Sequence, residues 1–200
     1  APWSVKTLHG TMPVVADTPA HEAQAREIYS RSIGFRTAEG QKQVPAMVAY
    51  LKGVLTEAGV PASDIATLDS GEAQAMLVRV PGRERGRPIL FSAHMDVVDA
   101  RPEEWERSPF ELIEEEGAFY GRGTMDNKAG VTAMVATILR LRAEGREPRR
   151  QLVFAFVADE AIQIHGGMGL MEDLPLARIW RDARVERIWE GTSEIQRHIV

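Results

Sequence analysis

Two hundred residues, 44% hydrophobic and 26% charged, suffice for one domain with a real core, since a chain of this size buries about 70% of its unfolded surface. A formal net charge of −5 argues against nucleic acid, which requires Lys and Arg in surplus on one face. The absence of cysteine excludes a disulfide framework, a thiol nucleophile, Cys-ligated zinc and an iron–sulfur cluster, so any metal must be held by His and carboxylate.

No apolar run reaches the length of a membrane span, and no charged-then-apolar leader is evident. The expectation is a soluble chain with no membrane partner, its compartment open between the cytoplasm and export from a bacterial cell. The first residue is Ala rather than Met, as expected of a processed chain or one cut from something longer. Ala1 to Asp17 shows no usable period.

Thr18-Pro19 forms a helix start, with Thr as N-cap and Pro at the first helical position. A second helix is predicted from Val44, Met47, Val48, Leu51, Val54 and Leu55, which recur at helical spacing until Gly59. Met76 to Val80 reads as a strand stopped by Pro81-Gly82. Ile89 to Ala93 is a short continuous apolar run, as in a strand buried on both faces. Phe110 to Ile113 and Ala118 to Tyr120 read as short strands around a turn at Gly117. A helix from Lys128 to Glu144, with Val131, Met134, Ile138 and Leu141 inward, precedes a second buried strand at Leu152 to Ala158. This order predicts an α/β fold with a partial, largely parallel sheet flanked by helices, best supported from Ile89 to Ala158. Residues 161–200 contain no strand pattern, five arginines and a glycine cluster, and predict a helical C-terminal tail.

Three polar clusters fall at strand ends or in the following loops, where α/β enzymes place chemistry. His94-Met95-Asp96 ends one strand, Gly123 to Lys128 leads into the long helix, and Asp159-Glu160 ends the next strand. An imidazole with a carboxylate two residues on can serve as a metal ligand whose tautomer is fixed by that carboxylate. Asp126 could bridge two cations, and Glu160 could hold a metal-bound water as general base. Singly these residues have ordinary explanations, a hydrogen-bonded strand-end His or an N-capping Asp or Asn. Three such clusters on one sheet edge shift the balance toward a site.

The stretches Phe91 to Val98, Gly121 to Gly130 and Ala158-Asp-Glu160, with Trp105, Ser108, Pro109 and Phe110 between them, resemble the dizinc metallopeptidase family. That family includes aminoacylases, carnosinase-like dipeptidases, acetylornithine deacetylase and succinyl-diaminopimelate desuccinylase. The resemblance spans about residues 20–160. It implies that His94 ligates zinc, Asp96 is its carboxylate partner, Asp126 bridges two metals and Glu160 is the general base. The implied reaction is water attack on the amide bond of a small peptide or N-acyl amino acid. The family also implies a second glutamate after Glu160, where this chain has Ala161, and further ligands downstream. One or two weakly held zinc ions and an impaired site are therefore expected.

Residues Ala161 to Gly169, Arg181 to Arg184 and Trp189 to Arg197 resemble the C-terminal end of acyl-CoA dehydrogenases. That resemblance implies Gln163, Gly166, Gly167, Thr192 and Glu194 near a flavin dinucleotide, and Glu190 as the base for the substrate α-proton. Bound FAD is not expected, because forty residues cannot enclose it. The two resemblances divide the chain into a truncated peptidase-like α/β part, 1–160, and a dehydrogenase-like helical tail, 161–200, an apparent chimera. Three readings follow: an amidohydrolase scaffold, a flavoprotein fragment, and a non-enzymatic chimeric chain. Self-association through an exposed sheet edge is expected of a part lacking its later strands.

Overall fold

The structure, a computed structural model, describes residues 19–158. In chain order these form α1 (Pro19–Gly34), α2 (Val44–Glu57), β1 (Ile65–Ser70), β2 (Ala73–Val80), β3 (Ile89–His94), β4 (Ile113–Glu115), β5 (Ala118–Tyr120), α3 (Lys128–Ala143) and β6 (Leu152–Val157). The expected helical tail lies outside the described residues.

The two helices read from periodicity are present, and their apolar rows face inward. Val44, Met47, Val48, Leu51 and Leu55 of α2 are buried, as are Val131, Met134, Val135, Ile138 and Leu139 of α3. They share one core with Met76, Val78 and Val80 of β2, Ala93 of β3, and Phe154 and Phe156 of β6. Each of these side chains other than Ala93 contributes roughly 1.5–3 kcal/mol on leaving water. Pro19 opens α1, which packs along α3.

The fold is α/β, but the sheet is mixed rather than largely parallel. Its order is β1-β2-β6-β3, and among the described residues only β3 and β6 pair in parallel. The strand–helix–strand unit from Ile89 to Val157 supplies that parallel pair through the α3 crossover, as the element order predicts. The antiparallel part comes from β2, which runs antiparallel to β6 and to β1, a strand the sequence reading lacks. Ser70 pairs with Ala73 across Gly71-Glu72, and Gly71 has φ +62°, which suits the first position of a two-residue hairpin loop.

Two further expectations are corrected. The strand placed at Phe110 to Ile113 lies at Ile113–Glu115, paired with β5. Glu116 and Gly117 both have positive φ, so they form the two-residue turn, and the register counts outward from it. Strand β3 is not buried on both faces. It is an edge strand among the described residues, and Phe91 stays 41% exposed while stacking on Phe154 with ring centroids 5.1 Å apart. A continuous apolar run cannot by itself separate an edge strand from a central one.

Where the chain leaves β2 it presses against the linker into β6. Arg83 and Glu84 donate backbone N–H groups to the Pro148 and Arg149 carbonyls at 3.0 and 2.9 Å. A β-carbon on Gly82 would lie 2.2 Å from the Arg150 carbonyl carbon and 2.3 Å from the Gln151 nitrogen. Both obstacles are backbone, so neither can swing aside. Gly82→Ala is therefore expected to lower unfolding free energy by roughly 2 kcal/mol or more in urea titration. Gly53→Ala is expected to raise it by about 0.5–1 kcal/mol, since Gly53 lies inside α2 with nothing within 4 Å of an added β-carbon.

Candidate metal centre

The parallel pairing sets the position of the first candidate ligand. His94, the last residue of β3, stands opposite Val157, and the ladder continues as Met95 N–H donates to the Val157 carbonyl at 2.7 Å. The chain then turns away, held by the buried Thr37, whose hydroxyl donates to the Met95 carbonyl at 2.7 Å. Val97 N–H donates back to the Thr37 carbonyl at 3.2 Å.

His94 and Asp126, 32 residues apart, come together. The imidazole Nε2 lies 2.8 Å from Asp126 Oδ1. On its other side Nδ1 lies 3.0 Å from the Asp96 backbone carbonyl and 3.5 Å from that residue's Oδ1. The nearer acceptor is thus the Asp96 main chain rather than the carboxylate suggested by the H-x-D spacing. Burial opposes charge on this ring, but the hydrogen bonds and charges of Asp96 and Asp126 outweigh it and carry the imidazole pKa from 6.5 up to about 9. The Asp126 side chain is 87% exposed, so it reaches His94 from the solvent side.

The loop carrying Asp126 is fixed from beneath. Tyr29 of α1 donates its hydroxyl to the Thr124 carbonyl at 2.7 Å, and Lys128 donates its ammonium to the Phe35 carbonyl at the end of α1. Lys128 is fully buried, and desolvation lowers its pKa from 10.5 to about 7 against the opposing pull of Asp96. A cation in the first turn of a helix is also disfavoured by the helix dipole. Gly123, with φ +92°, lets the loop lie against this side chain, since a β-carbon there would come 3.0 Å from Lys128 Cδ and Val97 Cγ1.

His94, Asp96 and Asp126 line an open cleft of about 350 Å³, together with Val97, Val98 and the Gly121 to Met125 loop. One imidazole and one carboxylate suit a borderline cation such as zinc. Among the described residues no group of three or more His or acidic side chains is placed to hold a metal ion, so His94 and Asp126 supply a pair of donors rather than a closed coordination shell. Glu160 lies outside them, as do Gln163, Gly166, Gly167, Glu190, Thr192 and Glu194. The spacing did not single out Lys128, Tyr29, Thr37 or Arg122. A lysine placed in the first helical turn was the one available signal.

The model of the peptidase family M20/M25/M40 matches residues 90–199, and the chain belongs to that family. Over 122 residues the chain is 34% identical to a succinyl-diaminopimelate desuccinylase of Alkalilimnicola ehrlichii, covering 60% of this chain and 32% of that protein. It is 39% identical over 92 residues to an N-fatty-acyl-amino acid synthase/hydrolase of Xenopus tropicalis, covering 46% of this chain and 18% of that protein. Among solved structures, human carnosine dipeptidase 1 superposes with a TM-score of 0.60 at 20% identity, over 69% of this chain and 32% of that one. A dipeptidase of Saccharomyces cerevisiae gives 0.62 at 18% identity, over 77% and 37%. The chain thus spans about a fifth to a third of the length of these curated relatives.

The fold and the family together define a metal-dependent peptidase or amidohydrolase scaffold. The family match runs on through residues 161–199, the segment with the dehydrogenase-like motifs, and the comparisons lend that likeness, the flavin and the chimera no support. No described helix is long and apolar enough to cross a membrane.

Titration separates the contributions of His94 and Lys128. The raised His94 value gives stability that is full below about 6.5 and lost as pH rises through about 9. The lowered Lys128 value acts oppositely, adding stability as pH rises from about 7 toward 10.5. In chelator, NMR should place the His94 midpoint near 9, and Asp126→Asn should bring it down. The stability difference between parent and Asp126→Asn, in which the lysine contribution cancels, should be largest below pH 6.5 and vanish above 9.

Proposed function

We propose that this chain hydrolyses, or derives from enzymes that hydrolyse, amide bonds of small peptides or N-acyl amino acids, with a cation held by His94 and Asp126. The observation that carries the reading is the 2.8 Å approach of His94 Nε2 to Asp126 Oδ1 at the end of a parallel strand, within the family's matched segment. Ligation by Nε2 leaves Nδ1 to donate to Asp96, which fixes the tautomer and turns the ring toward the cleft. Asp126, on the solvent side, presents its carboxylate to the same point.

A bound cation would supply Lewis-acid polarisation of an amide carbonyl and an acidified water. Glu160 is the proposed base that takes a proton from that water, and its place in the chain, three residues after β6 ends, suits the role. Ala161, where the resemblance implies a second glutamate, offers no ligand. The proposal is therefore a scaffold with one zinc seat and low turnover. Its substrate class also matches that of its relatives and structural neighbours, a desuccinylase, an N-fatty-acyl-amino acid synthase/hydrolase and dipeptidases.

Elemental analysis of the gel-filtered full chain tests this reading. About one zinc per chain is expected, lost in His94→Ala and in Asp126→Ala, with slow hydrolysis of N-acetyl amino acids lost alongside. Zinc no higher in the parent than in these variants would refute the metal seat. About two per chain would refute the single-site form and mean that residues beyond Glu160 provide the missing ligands.

A further inference from the structure

We infer that the arginine-rich loops leading into β3 and β6 receive the acidic β4–β5 turn of a second copy of this chain. The contact joins two different surfaces, so it is heterologous. It does not depend on the His94–Asp126 pair, which lies at the other end of β3.

Segments 79–87 and 140–150 hold nine arginines against three glutamates, with no lysine and no aromatic residue. They span the end of β2 with the loop toward β3, and the end of α3 with the loop into β6. The backbone bonds from Arg83 and Glu84 to Pro148 and Arg149 zip these loops together. Beside them opens a cleft of about 280 Å³, lined in part by Gly82, Arg142, Arg146 and Pro148. Arg83, Arg85, Arg87 and Arg150 are exposed, and their guanidiniums have no partner among the described residues. A β-carbon on Gly86 would lie 3.8 Å from Arg150 Cδ, so this side chain runs beside the residue between Arg85 and Arg87. By contrast Arg26, Arg36, Arg107, Arg146 and Arg149 are each paired with a carboxylate. Unpaired like charges on adjoining loops repel, and incoming carboxylates relieve that repulsion.

The complementary surface belongs to the same chain. Residues 101–117 hold seven glutamates against two arginines. Arg107 draws this stretch together, donating to Glu115 of β4 at 2.8 Å and lying 3.6 Å from Glu106. Glu111 and Glu116 are exposed without a partner among the described residues, and Glu116 stands at the β4–β5 turn. Guanidiniums match carboxylates in planar two-bond forks. A nucleic acid fits these loops less well. They offer no aromatic ring for a base to stack on, and the net charge of −5 opposes a polyanion. One exposed ion pair contributes little, whereas several acting together give an attraction that salt weakens.

Sedimentation velocity of the full chain at up to about 0.5 mM, in about 20 mM and about 500 mM sodium chloride, tests the contact. Two charge-reversed variants are compared with the parent, Arg83→Glu/Arg85→Glu/Arg87→Glu and Glu111→Lys/Glu116→Lys, with circular dichroism to check folding. The parent is expected to self-associate at low salt, at least about tenfold more tightly than at high salt. Each variant alone should remain monomeric. An equimolar mixture of the two should form a one-to-one complex and grow no further, because each supplies the one surface that the other lacks. A parent that stays monomeric at low salt, with or without retention on heparin, would overturn the inference. So would association that ignores salt or persists in either folded variant, which points to the exposed β3 edge instead. Should one variant fail to fold, continued association of the other would still refute the contact, and its loss would support it.

Discussion

Six residues of β3 lie in parallel register on six of β6, and the α3 crossover that parallel pairing requires delivers Asp126 to the strand end that carries His94. The site depends on this constraint more than on any single contact. A one-residue slip of β3 would turn His94 into the buried row that Ala93 occupies, where no imidazole fits. The alternation is well determined because Ala93, Phe154 and Phe156 belong to the core. Packing far from any chemistry thereby decides which side chain stands at the strand end.

A second layer of fixation comes from α1 and the loop after it. Tyr29, Thr37 and Lys128 reach across to carbonyls of the site loops or of Phe35 just after α1, and together they connect the helix layer to both halves of the His94–Asp126 pair. The lysine is the costly member. A fully buried ammonium is tolerated only where it has an acceptor or can shed its proton, and here the Phe35 carbonyl provides the first and the lowered pKa the second. A loop fixed in this way holds one geometry, which is what the proposed pair of metal donors on separate segments demands.

The sequence was legible where physics is local and repetitive. The apolar rows of α2 and α3 announce those helices, and the run Leu152 to Val157 announces β6. Strand β1 was not visible, because Ile65 is its one buried side chain among those described and Asp69 is exposed, so no clean alternation forms. The edge position of β3 is a property of the whole sheet and has no local signature. At the site, motif and spacing brought out His94, Asp96 and Asp126, whereas Arg122 and Lys128, within the same motif, were not singled out. What distinguishes those two is burial and the presence or lack of an acceptor, and both are set by residues distant in the chain. Glu160 and the residues after it, with the dehydrogenase-like assignments placed there, lie beyond the described part of the fold.

The central claim is that strand register and helix crossover create a cation seat between His94 and Asp126. Its most direct test is diffraction at the zinc edge from crystals of the full chain soaked in zinc. The account predicts an anomalous peak about 2.0–2.1 Å from His94 Nε2 and within bonding distance of an Asp126 carboxylate oxygen, with Nδ1 still directed at Asp96. A zinc bound elsewhere, with the direct His94–Asp126 hydrogen bond intact, would contradict it.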